Sequence, residues 1–144
     1  MPAHRVSSPV DASPDTVWAV LLDKMAHPQR YIEDALDAEI LDRDDGSVVR
    51  QLVLPGGVSF HEHISSDSVA RTITFTLLDH PLYEGTVINR LLQAPAGGVE
   101  LVFELDWRPR PGCVDDRGPE GLPALIQSSI LHTKRIAEAL ENGA

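Results

Sequence analysis

From Ala35 to Trp107 apolar and polar residues alternate, and turn-forming residues break the alternation about every ten positions. The breaks fall at Asp44-Asp45-Gly46, Pro55-Gly56-Gly57, Ser65 to Ser68, Asp79-His80-Pro81 and Ala96-Gly97-Gly98. Gly, Pro, Asn, Asp and Ser are the residues that tight turns use, so this is how an antiparallel meander of six strands appears in sequence. A further strand over Arg5 to Val10 makes the expected sheet seven-stranded.

Helical spacing flanks the meander. Ser13-Pro14-Asp15 reads as a helix start: Ser caps free amides, Pro suits the first turn, and Asp favours the positive end of the dipole. Val17, Trp18, Leu21, Leu22 and Met25 then form an apolar stripe that Pro28 interrupts, and a short turn over Gln29 to Glu33 completes a helical pair. After a proline- and glycine-rich loop from Arg108 to Gly121, the positions Leu122, Leu125, Ile126, Ile130, Ile136, Ala137 and Leu140 predict a long amphipathic helix. Such a helix needs an apolar partner, and the sheet face is the one surface large enough, giving an α+β fold with its helices on one side.

At 144 residues the chain is expected to form a single domain over 1–144. No stretch approaches the roughly 20 apolar residues of a membrane span. The first ten residues include His4, Arg5, Ser7, Ser8 and Pro9 where an export signal needs an apolar run. Cys113 is the single cysteine, which fits a reducing cytoplasm. With 22 acidic against 12 basic residues the net charge is -10, which repels phosphate backbones and argues against nucleic acid as a partner. No membrane partner is expected either, and homodimerisation is an open option.

Particular residues carry a resemblance. Val10-Asp11-Ala12-Ser13-Pro14-Asp15-Thr16-Val17-Trp18 resembles the opening of many members of the START-like, or SRPBCC, superfamily. The run His27-Pro28-Gln29-Arg30-Tyr31-Ile32, then Ala38-Glu39-Ile40-Leu41-Asp42, Asp45-Gly46, Val49-Arg50-Gln51 and His61-Glu62-His63-Ile64, resembles its AtaL-like branch. The resemblance covers most of the chain and loosens after Asp79. It implies a helix-grip fold (START/Bet v 1-like), a curved antiparallel sheet around the long C-terminal helix with two short helices between strands 1 and 2. It also implies a cavity for a small, largely apolar molecule, serving ligand carriage or cyclase and dehydratase chemistry on polyketide-like substrates, without a cofactor. Fold analogy alone identifies no reaction.

Strand alternation places the pocket-facing side chains. Val99, Leu101, Phe103, Leu105 and Trp107 share one face of the last strand, with Val102 an exception on the other. Ile73, Phe75 and Leu77 share another, and Val58, Phe60 and Ile64 a third, whose remaining position is Glu62. A carboxylate is therefore expected inside, where the family pattern also has a Glu. A carboxyl buried without a cationic partner holds its proton more tightly than one in water and serves as a general acid or base near neutral pH. On that condition Glu62 is the candidate catalytic residue. The alternatives are an ion pair with an arginine such as Arg50 or Arg90, or a bulge that turns Glu62 to solvent.

The remaining candidate ligand contacts are Asn89, which shares a face with Val87 and Leu91, and Ile126, Ser129, Ile130 and Thr133 on the last helix. A one-residue register change would exchange Asn89 for Arg90. The Ser129 and Thr133 hydroxyls either touch a ligand or bond back to the helix backbone. Tyr31 and Trp107 are either an aromatic wall or plain core, and His27 and His132 read as surface residues. His61 and His63 face outward on this register and lack further ligands, so a solvated strand face explains them better than a metal site. Nucleophile-elbow, phosphate-loop and dinucleotide motifs are absent from the sequence, and Cys113 has no evident base. Three functions stay open: a pocket with acid/base catalysis of cyclisation, dehydration or isomerisation; a carrier or sensor with the same pocket; and an interaction module using the acidic surface.

Overall fold

The computed structural model describes residues 4–30, 37–44, 46–54, 58–94, 98–113 and 121–143. They form β1 (His4–Val10), α1 (Pro14–Ala26), a 3-10 turn (Pro28–Arg30), β2 (Asp37–Asp44), β3 (Ser47–Leu54), β4 (Val58–Asp67), β5 (Thr72–Leu77), β6 (Tyr83–Gln93), β7 (Val99–Pro109) and α2 (Gly121–Glu141). All strand pairs are antiparallel, in the order β1-β7-β6-β5-β4-β3-β2. The meander thus runs from β2 to β7 without a crossover, and β1 adds to its far edge.

Ser13 caps α1 as expected, its Oγ accepting from Thr16 N at 3.2 Å, with Pro14 in the first turn. The buried stripe of α1 is Val17, Trp18, Val20, Leu21 and Lys24 rather than the predicted set. Leu22 is exposed and Met25 is half-buried, because the arc centred on Val17, Leu21 and Lys24 leaves position 22 more than a third of a turn away. The expected second helix is a single 3-10 turn ending at Arg30; the rest of the Gln29 to Glu33 segment lies outside the described residues.

In α2 the buried residues Leu122, Ile126, Ile130, Thr133 and Ala137 recur every three or four positions, and the helix packs on β1, β7 and α1. Leu140, predicted to face the sheet, is exposed in the last turn. The sheet contributes Phe60, Ile64, Ile73, Phe75, Leu101, Phe103 and Leu105 to one hydrophobic cluster that also contains Ile126 and Ile130. Val102 is buried as well, although it alternates to the other face. The curved antiparallel sheet gripping a C-terminal helix is the arrangement expected from sequence. Among the described residues no helix is long and apolar enough to cross a membrane.

The curvature has a local device at Gly85 of β6, which pairs with Trp107 at a φ of 130°. A Cβ there would lie within van der Waals overlap of the Asp106 carbonyl, a backbone atom that cannot swing aside. Gly85→Ala is expected to destabilise the fold by about 3 kcal/mol, read from the midpoint of chemical denaturation at unchanged slope.

Candidate functional site

Among the described residues, six polar or charged side chains are buried: Lys24, Arg50, Glu62, His80, Asn89 and Thr133. Four of them meet around Phe75. Arg50 and Glu62 are cross-strand partners on β3 and β4, where inward-facing neighbours come close enough to pair. Arg50 Nη2 donates to Glu62 Oε1 at 2.7 Å and Nε to the same oxygen at 3.2 Å. Arg50 Nη1 donates to the carbonyls of Lys24 and Met25, both at 3.0 Å, at the C-terminal end of α1. Those carbonyls lack partners within the helix, and a cation there also meets the negative end of its dipole.

Glu62 is therefore inside, as its alternation predicts, but the condition attached to catalysis is not met: it has a cationic partner. Of the readings left open by the sequence, the Arg50 ion pair is the one observed. Both bonds from Arg50 end on Oε1. Among the described residues Oε2 accepts no hydrogen bond.

Lys24 occupies the last turn of the buried stripe of α1, 3% exposed. Its Nζ donates to Asn89 Oδ1 on β6 at 3.1 Å and to Ser129 Oγ on α2 at 2.9 Å. The same nitrogen lies 4.3 Å from the ring centre of Phe103 and 5.5 Å from that of Phe75. Burial above all, and the Arg50 charge after it, push the amine's pKa from 10.5 down to about 7 against the opposing attraction of Glu62. Sequence reasoning missed this residue, since a lysine reads as a break in an apolar pattern. The signal was its spacing, three residues after Leu21 and seven after Val17.

Asn89 is fully buried, so the register that points it inward rather than Arg90 is the one adopted; Arg90 instead pairs with Glu104 on the other face at 2.6 Å. Because Lys24 donates to Oδ1, the amide Nδ2 faces elsewhere, and it is sealed from solvent without a partner. Trp107 Nε1 is the other sealed, unpartnered polar atom among the described residues. Both sit on the inward face of neighbouring strands, Asn89 opposite Phe103 and Trp107 opposite Gly85. The Trp107 ring, half-buried, packs 5.7 Å from His80 and 5.6 Å from Tyr83. His80 was read only as part of a turn, yet it is buried against Phe60, its Nδ1 accepting from the Leu82 and Tyr83 amides at 3.1 and 3.2 Å.

Of the other predicted contacts, Phe60, Ile73, Phe75, Leu101, Phe103, Ile126 and Ile130 are core residues around this cluster. Ser129 Oγ does neither within the chain: it accepts from Lys24 Nζ. Thr133 takes the backbone role, donating to the Ser129 carbonyl at 2.9 Å. Tyr31 lies outside the described residues. His61 is held by Asp79 at 2.6 Å, whose carboxyl sits below its ordinary range chiefly because it accepts from the His61 amide. Among the described residues no three His, Cys, Asp or Glu side chains gather as a metal site.

No family model matches the sequence, and no curated protein matches it. Solved structures do match its fold. The Zhui aromatase/cyclase from a Streptomyces species superposes with a TM-score of 0.78 at 21% identity, covering 94% of this chain and 93% of that one. A Thermus thermophilus protein gives 0.73 at 14% identity, covering 94% of this chain and 97% of that one. The di-domain aromatase/cyclase StfQ of the steffimycin biosynthetic pathway gives 0.71 at 16% identity, where 97% of this chain corresponds to 46% of that one. At these identities the likeness establishes architecture: the chain has the helix-grip fold shared by these aromatase/cyclases and related proteins.

Proposed function

We propose that the protein, a cytoplasmic member of the START-like superfamily nearest its AtaL-like branch, binds a small, largely apolar molecule bearing carbonyl or hydroxyl oxygens between the sheet and α2. The observation that carries this reading is the pair of sealed donors, Asn89 Nδ2 and Trp107 Nε1. Leaving a buried N–H unpaired costs about 1–3 kcal/mol, and native interiors rarely tolerate it without a partner that arrives. An oxygen-bearing ligand supplies that partner, while Phe60, Phe75, Phe103 and Ile130 supply the apolar surroundings. Zhui and StfQ, which share the fold, are aromatase/cyclases, and this makes polyketide-like substrates the favoured class.

Within this reading Glu62 moves a proton during cyclisation, dehydration or isomerisation through Oε2, the oxygen that Arg50 leaves open. The alternative is a carrier or sensor without chemistry, and one observation favours it: the Glu62 carboxyl is already engaged by Arg50 at 2.7 Å.

The buried charges also bear on function, because a core selected for stability alone would place an apolar side chain at position 24. Below pH 7 the Lys24 ammonium exists in both folded and unfolded chains, and the folded state carries the whole cost of burying it. Between pH 7 and 10.5 the unfolded chain keeps a proton that the folded chain has released, so stability rises with pH. The stability of the wild type relative to Lys24→Met is expected to improve by about 3 kcal/mol from about pH 6 to about pH 9 in parallel urea titrations; a flat difference contradicts it.

Ligand binding is tested by titrating the protein with dihydroxyanthraquinone and with anthracene, following tryptophan fluorescence and confirming by calorimetry. The oxygenated compound is expected to bind at least about tenfold more tightly, and Asn89→Leu or Trp107→Phe to remove about tenfold of that preference. Equal binding of both compounds, or none, overturns the reading. Catalysis is tested with diacetylacetone, a linear triketone that closes to orcinol with loss of one water. Glu62→Gln is expected to slow that closure about a hundredfold at unchanged anthraquinone affinity, and a wild type that never accelerates it leaves the carrier.

A further inference from the structure

Lys24 differs from an ordinary buried cation in what meets it. A cation held for structure is normally matched by a carboxylate, yet Nζ is met by two neutral oxygens, Asn89 Oδ1 and Ser129 Oγ, and by the faces of Phe103 and Phe75. The nearby carboxylate, Glu62, is engaged by Arg50 instead. Such surroundings favour the neutral amine, whose lone pair is a nucleophile. The amine also stands next to an unused donor, because Asn89 bonds Nζ through its oxygen while the nitrogen of the same amide is unpartnered. A carbonyl oxygen bound to Nδ2 brings its carbon beside Nζ. From α2, Ser129 accepts from Nζ, and among the described residues nothing accepts from its own O–H.

The geometry points to Lys24 as a nucleophile that forms an imine with a ketone or aldehyde carbonyl of the bound ligand, with Asn89 positioning the carbonyl and Ser129 relaying a proton to the departing oxygen. This rests on the ligand binding proposed above and narrows the ligand to carbonyl compounds, β-diketones foremost. The ammonium gives up one proton and the free amine adds to the carbonyl carbon, breaking the C–O π bond and forming the C–N bond. A second hydrogen passes from nitrogen to oxygen, the first proton returns to the hydroxyl, and water leaves. Two of the ammonium's three hydrogens depart in that water and the third stays on the iminium nitrogen, so the step needs no oxidant or reductant. With a β-diketone, loss of a proton from the intervening carbon then gives a stable enaminone.

The chain has two lysines, Lys24 and Lys134, which makes the assignment direct. Lys134 lies on the outer side of α2, bonded to Glu138 and the Pro9 carbonyl at 2.8 Å each. The folded protein is incubated with benzoylacetone, and the enaminone is located by peptide mass spectrometry. The expected result is an adduct on Lys24 at least about tenfold more abundant than on Lys134, lost in Lys24→Met and slowed about tenfold in Asn89→Leu. In guanidinium the preference is expected to vanish. The charged groups around the amine are Arg50 on β3 and Glu62 on β4, and with them in place the rate of Lys24 labelling should climb through about pH 7. Labelling that is equal on the two lysines, or absent from Lys24 while dihydroxyanthraquinone still binds, overturns the imine and leaves ligand binding standing. Absence of both the adduct and anthraquinone binding overturns both.

Discussion

The guanidinium of Arg50 is the interaction on which the interior depends. It ties β3, which carries it, to β4 through Glu62 and to the C-terminal turn of α1 through two main-chain carbonyls. A buried ion pair is a weak source of net stability, since desolvation offsets most of the attraction, but half of one is strongly destabilising. The pair therefore acts as a specification. It fixes where α1 ends against the sheet, and because one carbonyl it holds belongs to Lys24, it fixes the backbone from which the amine projects.

The interior does not share the charge balance of the whole molecule. The chain carries -10, yet the cluster around Phe75 sets one carboxyl, Glu62, against a guanidinium and an amine. Arg50 lies 5.7 Å and Lys24 5.5 Å from the Phe75 ring centre, within reach of the ring's π-electrons. Their mutual repulsion is one cause of the lowered Lys24 pKa, alongside burial. An electron-rich guest meets an interior whose spare hydrogen-bonding capacity lies largely in donors.

Most of the architecture is legible in the sequence, because it is written in periods. The two-residue alternation locates the strands and turns Glu62 and Asn89 inward, while the three-to-four spacing locates α1 and α2. The errors have separate causes. Leu22 is apolar but its angle around α1 puts it outside the buried arc, whereas Leu140 has the angle of the buried arc of α2 and is exposed because it lies in the last turn. Lys24 falls within the arc of α1, where a search for apolar spacing passes over a charged residue. His80 had no periodic signal at all, since it lies between strands and is buried by the rings that close over it. Pairing of Glu62 with Arg50 was one of several outcomes alternation permits, because alternation says which face a side chain takes and leaves its partner to the register.

The position of β1 governs how such a chain can assemble. Its hydrogen-bonding partner is β7, so almost the whole meander lies between His4 and its opposite number Leu105. Hairpins from β2 to β7 can close locally and early, but β1 must wait for the last strand, and α2 then packs across both. Contacts so distant in sequence raise contact order and slow folding, because the entropy of closing the long loop is lost before the pairing compensates it. Until then β1 is an unpaired edge, and Pro9 within it removes one amide that a stray strand could otherwise engage.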